Sequence, residues 1–276
     1  MLPPVASRFL AGTTAPEALE RARVLHGEGI GAILNLLGEH HERRELADAD
    51  TEAYIELLSD TADTADSVCV SVKPTQLGLD IGESVFEANL DRILSAAAAD
   101  QFVWIDMEDH TTTDATLSAF ETRVTEHPNV GVCLQSNLRR TRDDLRRLAP
   151  LPGKVRLVKG AYDEPESIAY RGKSRIDEAY RTDLEVAFRN FDGGIAVGSH
   201  DPAMIDHARR LHEEYGTDYE IQMLMGVRED AQRRLAGEVP VYQYVPYGDR
   251  WLSYFYRRVR ERKENALFAL RAVAGV

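Results

Sequence analysis

Cysteine is scarce in this sequence, with Cys69 and Cys133 the only two in 276 residues. Both fall in apolar, strand-like runs, where a free thiol behaves as a small hydrophobe, and neither shares metal-ligand spacing with another cysteine. A disulfide scaffold is excluded, and the pattern fits a reducing compartment. Positive charge is short as well: 33 Lys and Arg stand against 46 Asp and Glu, for a formal net charge of -13. Such a surface repels a phosphate backbone, so nucleic acid is not an expected partner and small molecules are. Long apolar runs are missing, none approaching the roughly 18 to 20 residues that cross a bilayer. The opening MLPPVASRFLAG has neither the cationic start nor the continuous apolar stretch of a signal peptide. The expected location is the cytoplasm, with a peripheral contact at the inner face of the membrane left open. The one greasy segment, ALFALRAVAGV from Ala266, is expected to cap the fold or to meet another copy in a homo-oligomer. Gly/Ser linkers, low-complexity tracts and repeats are also absent, so one domain over 1–276 is expected, with an N-terminal arm at 1–29 and the body at 30–276.

What is present is an alternation. Strand-like runs occur at 30–37, 67–73, 102–108, 130–135, 155–160, 194–201, 219–224 and 239–244. Helical patterns occur at 16–28 and 51–64, separated from each other by the first strand and the polar loop GEHHERREL. Others follow at 84–98, 113–126, 141–148, 175–190, 202–215, 228–235 and 251–273. Pro202 suits a first helical turn and Gly216 a helix end. Eight nearly continuous apolar strands, each with a helix, imply a parallel sheet covered by helices and closed on itself, an α/β fold of the (β/α)8 TIM-barrel type. About 250 residues suffice for such a unit, and its chemistry gathers where the strands end.

The predicted strand ends are polar. They carry Lys73, Asp106 with Glu108, Gln135, Arg156 with Lys159, His200 with Asp201, Gln222, and Tyr244. A single one of these residues reads as a surface or ion-pair group. A coincident set on one rim reads as a pocket. The run VRLVKGAYDEP at 155–165 is the centre of the set, because it holds two cations on a rigid strand and turns at Gly160. Arg156 alone is balanced between pairing with an acid and meeting a ligand. Arg257, Arg258 and Glu261 are spaced as one helical face. Adjacent arginines with a lysine suit a carboxylate, which a guanidinium binds through two parallel hydrogen bonds. Adjacent His40 and His41 read as a solvated pair rather than a metal site. No HExxH, Walker loop, GxGxxG turn or Ser-His-Asp logic is found, so an organic cofactor is expected to carry the chemistry.

On these residues the chain resembles the monofunctional, flavin-dependent proline dehydrogenases. The motifs are LLGE at 36–39, SVKPTQLGLD at 71–80, IDMED at 105–109, LQSNLRRT at 134–141, RLVKGAY at 156–162, SHD at 199–201, EIQMLMG at 220–226, YVPYG at 244–248 and YRRVRERKEN at 256–265. The resemblance implies a distorted barrel whose last helix lies over the C-terminal face of the strands. It implies oxidation of L-proline to Δ1-pyrroline-5-carboxylate, with hydride passing to N5 of FAD and electrons then passing to a quinone. By motif, Arg156 would sit near flavin N5, Lys159 near the pyrophosphate, and Gln135, His200 and Gln222 around the rest of the cofactor, while Glu261 would reach the cofactor or brace the arginines. Val158, Gly160, Ala161, Ser199 and Asp201 complete that set. Lys73, Arg257 and Arg258 would hold the substrate carboxylate, and Tyr162, Leu224 and Tyr244 would wall the proline ring. Asp106 would support the polar cluster, and Glu39 would close a gate by pairing with Arg257.

The sequence departs from the family pattern at Asp163, where an aromatic often follows the KGAY run, at Asn137, where a tyrosine is frequent, and around Ser199 and Asp201. Tyr244 keeps a feature that favours proline over hydroxyproline. No base for the amine is identified. The competing readings are another flavin barrel of the methylenetetrahydrofolate reductase kind, which would not need the Arg257–Arg258 pair, and a cofactor-free barrel that serves as a binding protein.

Overall fold

The computed structural model describes residues 7–61 and 68–252. Its strands are β1 (Gly31–Leu36), β2 (Val68–Val72), β3 (Phe102–Ile105), β4 (Val130–Gln135), β5 (Lys154–Val158), β6 (Ile195–Gly198), β7 (Tyr219–Leu224) and β8 (Val241–Tyr247). Each pairs in parallel with the next, and β1 pairs with β8, so the sheet closes into the expected barrel. The helices are α1 (Ala15–Gly27), α2 (Arg44–Asp60), α3 (Glu83–Ala96), α4 (Thr113–Arg123), α5 (Thr141–Leu148), α6 (Lys173–Asn190), α7 (Pro202–Tyr215) and α8 (Glu229–Leu235). The expected helix at 251–273 lies almost wholly outside the described residues.

Two apolar layers follow from the two faces of each strand. Val103, Val132, Leu157, Val197, Ile221 and Val245 point outward into the core shared with the helices. Ile33, Cys69, Trp104 and Ala196 point inward and pack with Phe102, Tyr242 and Tyr244 in a separate axial cluster. Partners in a parallel ladder share a face, so the register carries the inward set around the barrel. Leu224 pairs with Tyr244 and Tyr244 with Ile33, while Cys133 pairs with Arg156 and Arg156 with Ala196. The large inward rings need small neighbours. A Cβ on Gly31 would meet the Tyr242 ring at 2.4 Å, and one on Gly131 would meet Trp104 at 2.5 Å.

The helices bury one stripe each, as Phe86, Leu90, Ile93 and Leu94 do on α3. α1 begins with a capping box between Thr14 and Glu17 and packs on β1 and β8. It thereby fills the seam between the first and last strands, where a helix following β8 packs in a regular barrel. The residues before α1 cross the C-terminal rim: Ala11 N–H donates to the Pro246 carbonyl at 3.0 Å, and Phe9 and Leu10 pack against Leu37. α2 starts at Arg44 rather than at 51, because the buried stripe of Ala47, Thr51, Tyr54, Leu57 and Leu58 extends one turn into what reads as a charged loop.

α6 buries an acid, Asp183, with the Arg142 guanidinium of α5 3.7 Å away. Burial pushes its carboxyl up to about 6, against an ordinary value of 3.8, although Ser136 and Arg142 pull the other way. Between those two values the folded chain binds more protons than the unfolded chain, so this group makes stability fall as pH rises through the window. Asp183→Asn should therefore be more stable than the parent at pH 8 by on the order of 1–3 kcal/mol. The gap in urea midpoint should close near pH 4, and a gap independent of pH would contradict the account.

Candidate functional site

The inward faces of β5, β7, β3 and β8 build the floor of the site. Arg156 is 4% exposed, and burying a guanidinium is costly unless its charge and its donors are matched. Its Nη1 donates to Asp106 Oδ1 at 2.6 Å and its Nε to Gln222 Oε1 at 2.5 Å. The guanidinium carbon lies 4.4 Å from the centre of the Trp104 ring and 5.8 Å from that of Tyr244. Asp106, just past the end of β3, also accepts from Ser71 Oγ and from the Tyr244 hydroxyl, each at 2.7 Å. Burial, followed by the charge of Asp106, raises the Tyr244 pKa well above its ordinary value, so the phenol stays protonated and donates. Lys73 Nζ donates to Asn35 Oδ1 at 3.0 Å and stands 4.0 Å from Asp106.

Above this floor a cavity of about 760 Å³ opens at the C-terminal ends of the strands. That is within the range of small-molecule and cofactor pockets. Lys73, Asp106, Gln135, Arg156, Val158, Lys159, Gly160, Ala161, Tyr162, His200, Gln222, Leu224 and Tyr244 line it, together with Glu39 at the rim. Gln135 is oriented by donating Nε2–H to the Glu108 carbonyl at 2.8 Å. His200 Nε2 accepts the Leu224 backbone N–H at 2.8 Å, so the ring's proton belongs to Nδ1 in the neutral form. Lys159 is shared between Asp177 at 2.5 Å and Asp201 at 2.8 Å. Gly160 adopts φ +105°, and a Cβ there would meet Asn137 Oδ1 at 2.2 Å, so the turn below the pocket wall requires glycine.

Most of the residues proposed from sequence thus converge on one rim. Ser199 and Asp201 do not line the cavity. Ser199 is buried and accepts from Asp201 N–H, while Asp201 caps α7 and holds Lys159. Glu108 turns away from the pocket to accept from the Thr75 backbone and hydroxyl at 2.8 and 2.6 Å, which pins the segment after β2. Asp163, at a position often aromatic in the family, is exposed and paired with Arg171. Arg257, which is also the gate's arginine, Arg258 and Glu261 lie outside the described residues.

The reading of His40 and His41 as a solvated pair is corrected for one of them. His40 is exposed and meets Asp80 at 2.8 Å, but His41 is 3% exposed and bonded to Asp50 at 2.7 Å. Arg250 Nη1 lies 2.8 and 3.2 Å from the two ring nitrogens of His41, and Arg250 itself lines the cavity. Sequence reasoning missed Arg250, Asn35 and Ser71. The last two were accessible, because they share the inward parity of Ile33 and of Cys69 and Lys73 on their strands.

Among the described residues no group of three or more His, Cys, Asp or Glu could hold a metal ion. The donor set suits an organic group rich in hydrogen-bond acceptors. Arg156 lines the cavity as a fixed cation, and Lys73, Lys159 and the amides of Gln135 and Gln222 supply further donors there. The side walls alternate apolar groups, Met107, Val158 and Leu224, with the amides of Gln135 and Gln222. Cys133 also lines the pocket, but burial pushes its thiol up to about 11, which leaves it un-ionised and a weak nucleophile. A flavin fits these residues.

A family profile described as proline dehydrogenase matches residues 18–271. Proline dehydrogenase 2 of Bacillus subtilis is 34% identical over 97% of this chain and 90% of its own length. Proline dehydrogenase of Deinococcus radiodurans is 36% identical over 98% of this chain and 90% of its own. Among solved structures, proline utilization A (PutA) from Bdellovibrio bacteriovorus, inactivated by N-propargylglycine, superposes with a TM-score of 0.84 at 23% identity. That likeness covers 92% of this chain and 32% of the PutA chain, so this chain spans about a third of that protein and the match concerns the fold. PutA from Corynebacterium freiburgense superposes with a TM-score of 0.77 at 22% identity. With a polar barrel rim suited to a flavin, a family profile over nearly the whole barrel and relatives matched from end to end, the chain belongs to the proline dehydrogenase family, a generally flavin-dependent group of oxidoreductases acting on proline.

Proposed function

We propose that the rim cavity binds FAD and oxidises L-proline to Δ1-pyrroline-5-carboxylate. The observation that carries this reading is the buried guanidinium of Arg156, which lines the cavity and is anchored on two sides by Asp106 and Gln222. Bound FAD would supply the hydride acceptor. Arg156 would hold positive charge beside the ring that gains electrons, which stabilises the reduced form. Gln135, His200, Gln222 and the backbone at Gly160–Ala161 would orient it. Lys159 would be shared between the cofactor's diphosphate and the two carboxylates it already meets.

Lys73, with Arg257 and Arg258, would bind the substrate carboxylate. Lys73 suits that task because Asn35 fixes its ammonium, and among the described residues the carboxylate paired with it, Asp106, is 4.0 Å away. Tyr162, Leu224 and Tyr244 would close around the ring, and the hydroxyl of Tyr244, tied to Asp106, would present its ring face rather than a mobile polar group. Fixing the carboxylate at one end and the ring on three sides holds the reacting carbon in place, the main source of rate in such a transfer. Glu39, at the rim, would gate entry with Arg257. The reading extends to a quinone as electron acceptor, with a peripheral membrane contact and self-association as accompanying features.

Two measurements test this. The purified protein should be yellow, and anaerobic L-proline should bleach it while hydroxyproline does so far less. A protein bleached by NADH and not by L-proline would instead support a reductase. Lys73→Met and Arg257→Met should each raise KM for proline by at least about tenfold while flavin stays bound, since a hydrogen bond to a charged group is worth roughly 1.5–3 kcal/mol. An unchanged KM would remove that residue from the carboxylate site.

A further inference from the structure

Below the cavity floor, the Arg156–Gln222 anchor continues along the barrel axis into hydrogen bonds to Glu220 and Lys154 that the roles above do not use. Lys154 Nζ meets Glu220 Oε2 at 2.7 Å. Glu220 Oε1 accepts from Gln222 Nε2 at 2.6 Å, and Gln222 Oε1 accepts from Arg156 Nε at 2.5 Å. Glu220, Gln222 and Arg156 are all at least nine-tenths buried, at 7%, 5% and 4% exposure. Water therefore offers little substitute for a lost partner.

The chemistry of the ends leaves the middle no choice. A carboxylate only accepts, so the face of Gln222 toward Glu220 must be its NH2. A guanidinium only donates, so the face toward Arg156 must be the carbonyl. Without the carboxylate, only the guanidinium still selects the orientation of the Gln222 amide, because an amide at position 220 can either donate or accept, so the grip on Arg156 Nε loosens. We infer that Glu220 is a positioning residue: through Gln222 it fixes the rotation of the Arg156 guanidinium at the pocket floor. Asp106 holds the other edge of the same group, and the two anchors together define its plane.

The redox consequence rests on the function proposed above, but the structural consequence does not. Glu220→Gln is isosteric and removes only the charge and the accept-only character. In the purified protein, hydrogen exchange at Arg156 Nε, followed by NMR, should become about tenfold faster than in the parent, the factor that one hydrogen bond's net contribution implies. The exchanged pair Glu220→Gln/Gln222→Glu places an accept-only group against Arg156 again and should restore slow exchange. It also serves if the single variant fails to fold. In the flavin-loaded enzyme, Glu220→Gln should lower the reduction potential of the bound flavin and slow its reduction, with KM for proline within twofold of the parent. Unchanged exchange in Glu220→Gln, or fast exchange in the exchanged pair, overturns the inference. Faster exchange in a protein that takes up no flavin would uphold the inference and overturn the proposed function.

Discussion

The ion pair between Arg156 and Asp106 at the barrel axis is the constraint from which the rest of the site follows. A guanidinium and a carboxylate removed from water are tolerated only when their remaining donors and acceptors are also met. Asp106 satisfies this by accepting from Ser71 and Tyr244, and Arg156 by donating to Gln222 and stacking on Trp104. Each partner is itself on an inward position of a different strand. The pair therefore ties β2, β3, β5, β7 and β8 together at the level where the apolar axial cluster gives way to the cavity. Arg156, which belongs to this network and also lines the cavity, marks the boundary between scaffold and site.

Rigidity below contrasts with longer segments above. The residues that wall the pocket follow β5 and β6 and precede α6 and α7, and their charges are balanced among themselves. Lys159 and Lys173 face Asp177 and Asp201. Glu164, buried in the segment before α6, accepts the His110 backbone N–H at 3.0 Å and meets its ring at 2.5 Å, which joins that segment to the end of β3. On the opposite rim the Arg250, His41 and Asp50 group performs the same service for the segment after β1. A net acidic protein thus holds several cations around one cavity, each paired with a carboxylate or a histidine of a neighbouring segment.

Strand order, the parallel closed sheet and the polar rim were legible because they rest on local patterns. Apolar runs of four to seven residues with turns after them specify strands, and the alternation of in and out places Lys73, Gln135, Arg156, Gln222 and Tyr244 on one side. Where reading failed, a contact distant in sequence decided. The sequence Arg-Glu-Leu at 44–46 reads as loop by charge, yet it is helix because the residues that follow are buried against α3. His41 looks identical to His40 along the chain, and only the fold sets one beside Asp50 and the other beside Asp80. Arg250 reaches the pocket because β8 closes on β1, a pairing across the whole length of the barrel.

By itself the amino-acid sequence determined that strands and helices alternate, which face of each strand is apolar, and that several charged and amide side chains sit at strand ends. Those are consequences of backbone geometry and hydrophobic periodicity, which act within a few residues. The tertiary structure alone decided which charges neutralise one another and which stay available. It anchored Arg156 on Asp106 and Gln222, committed Lys159 to two carboxylates and turned Glu108 and Asp201 to holding loops. Partner choice among buried charges depends on distances of a few ångströms set by barrel closure, and no local pattern encodes those distances.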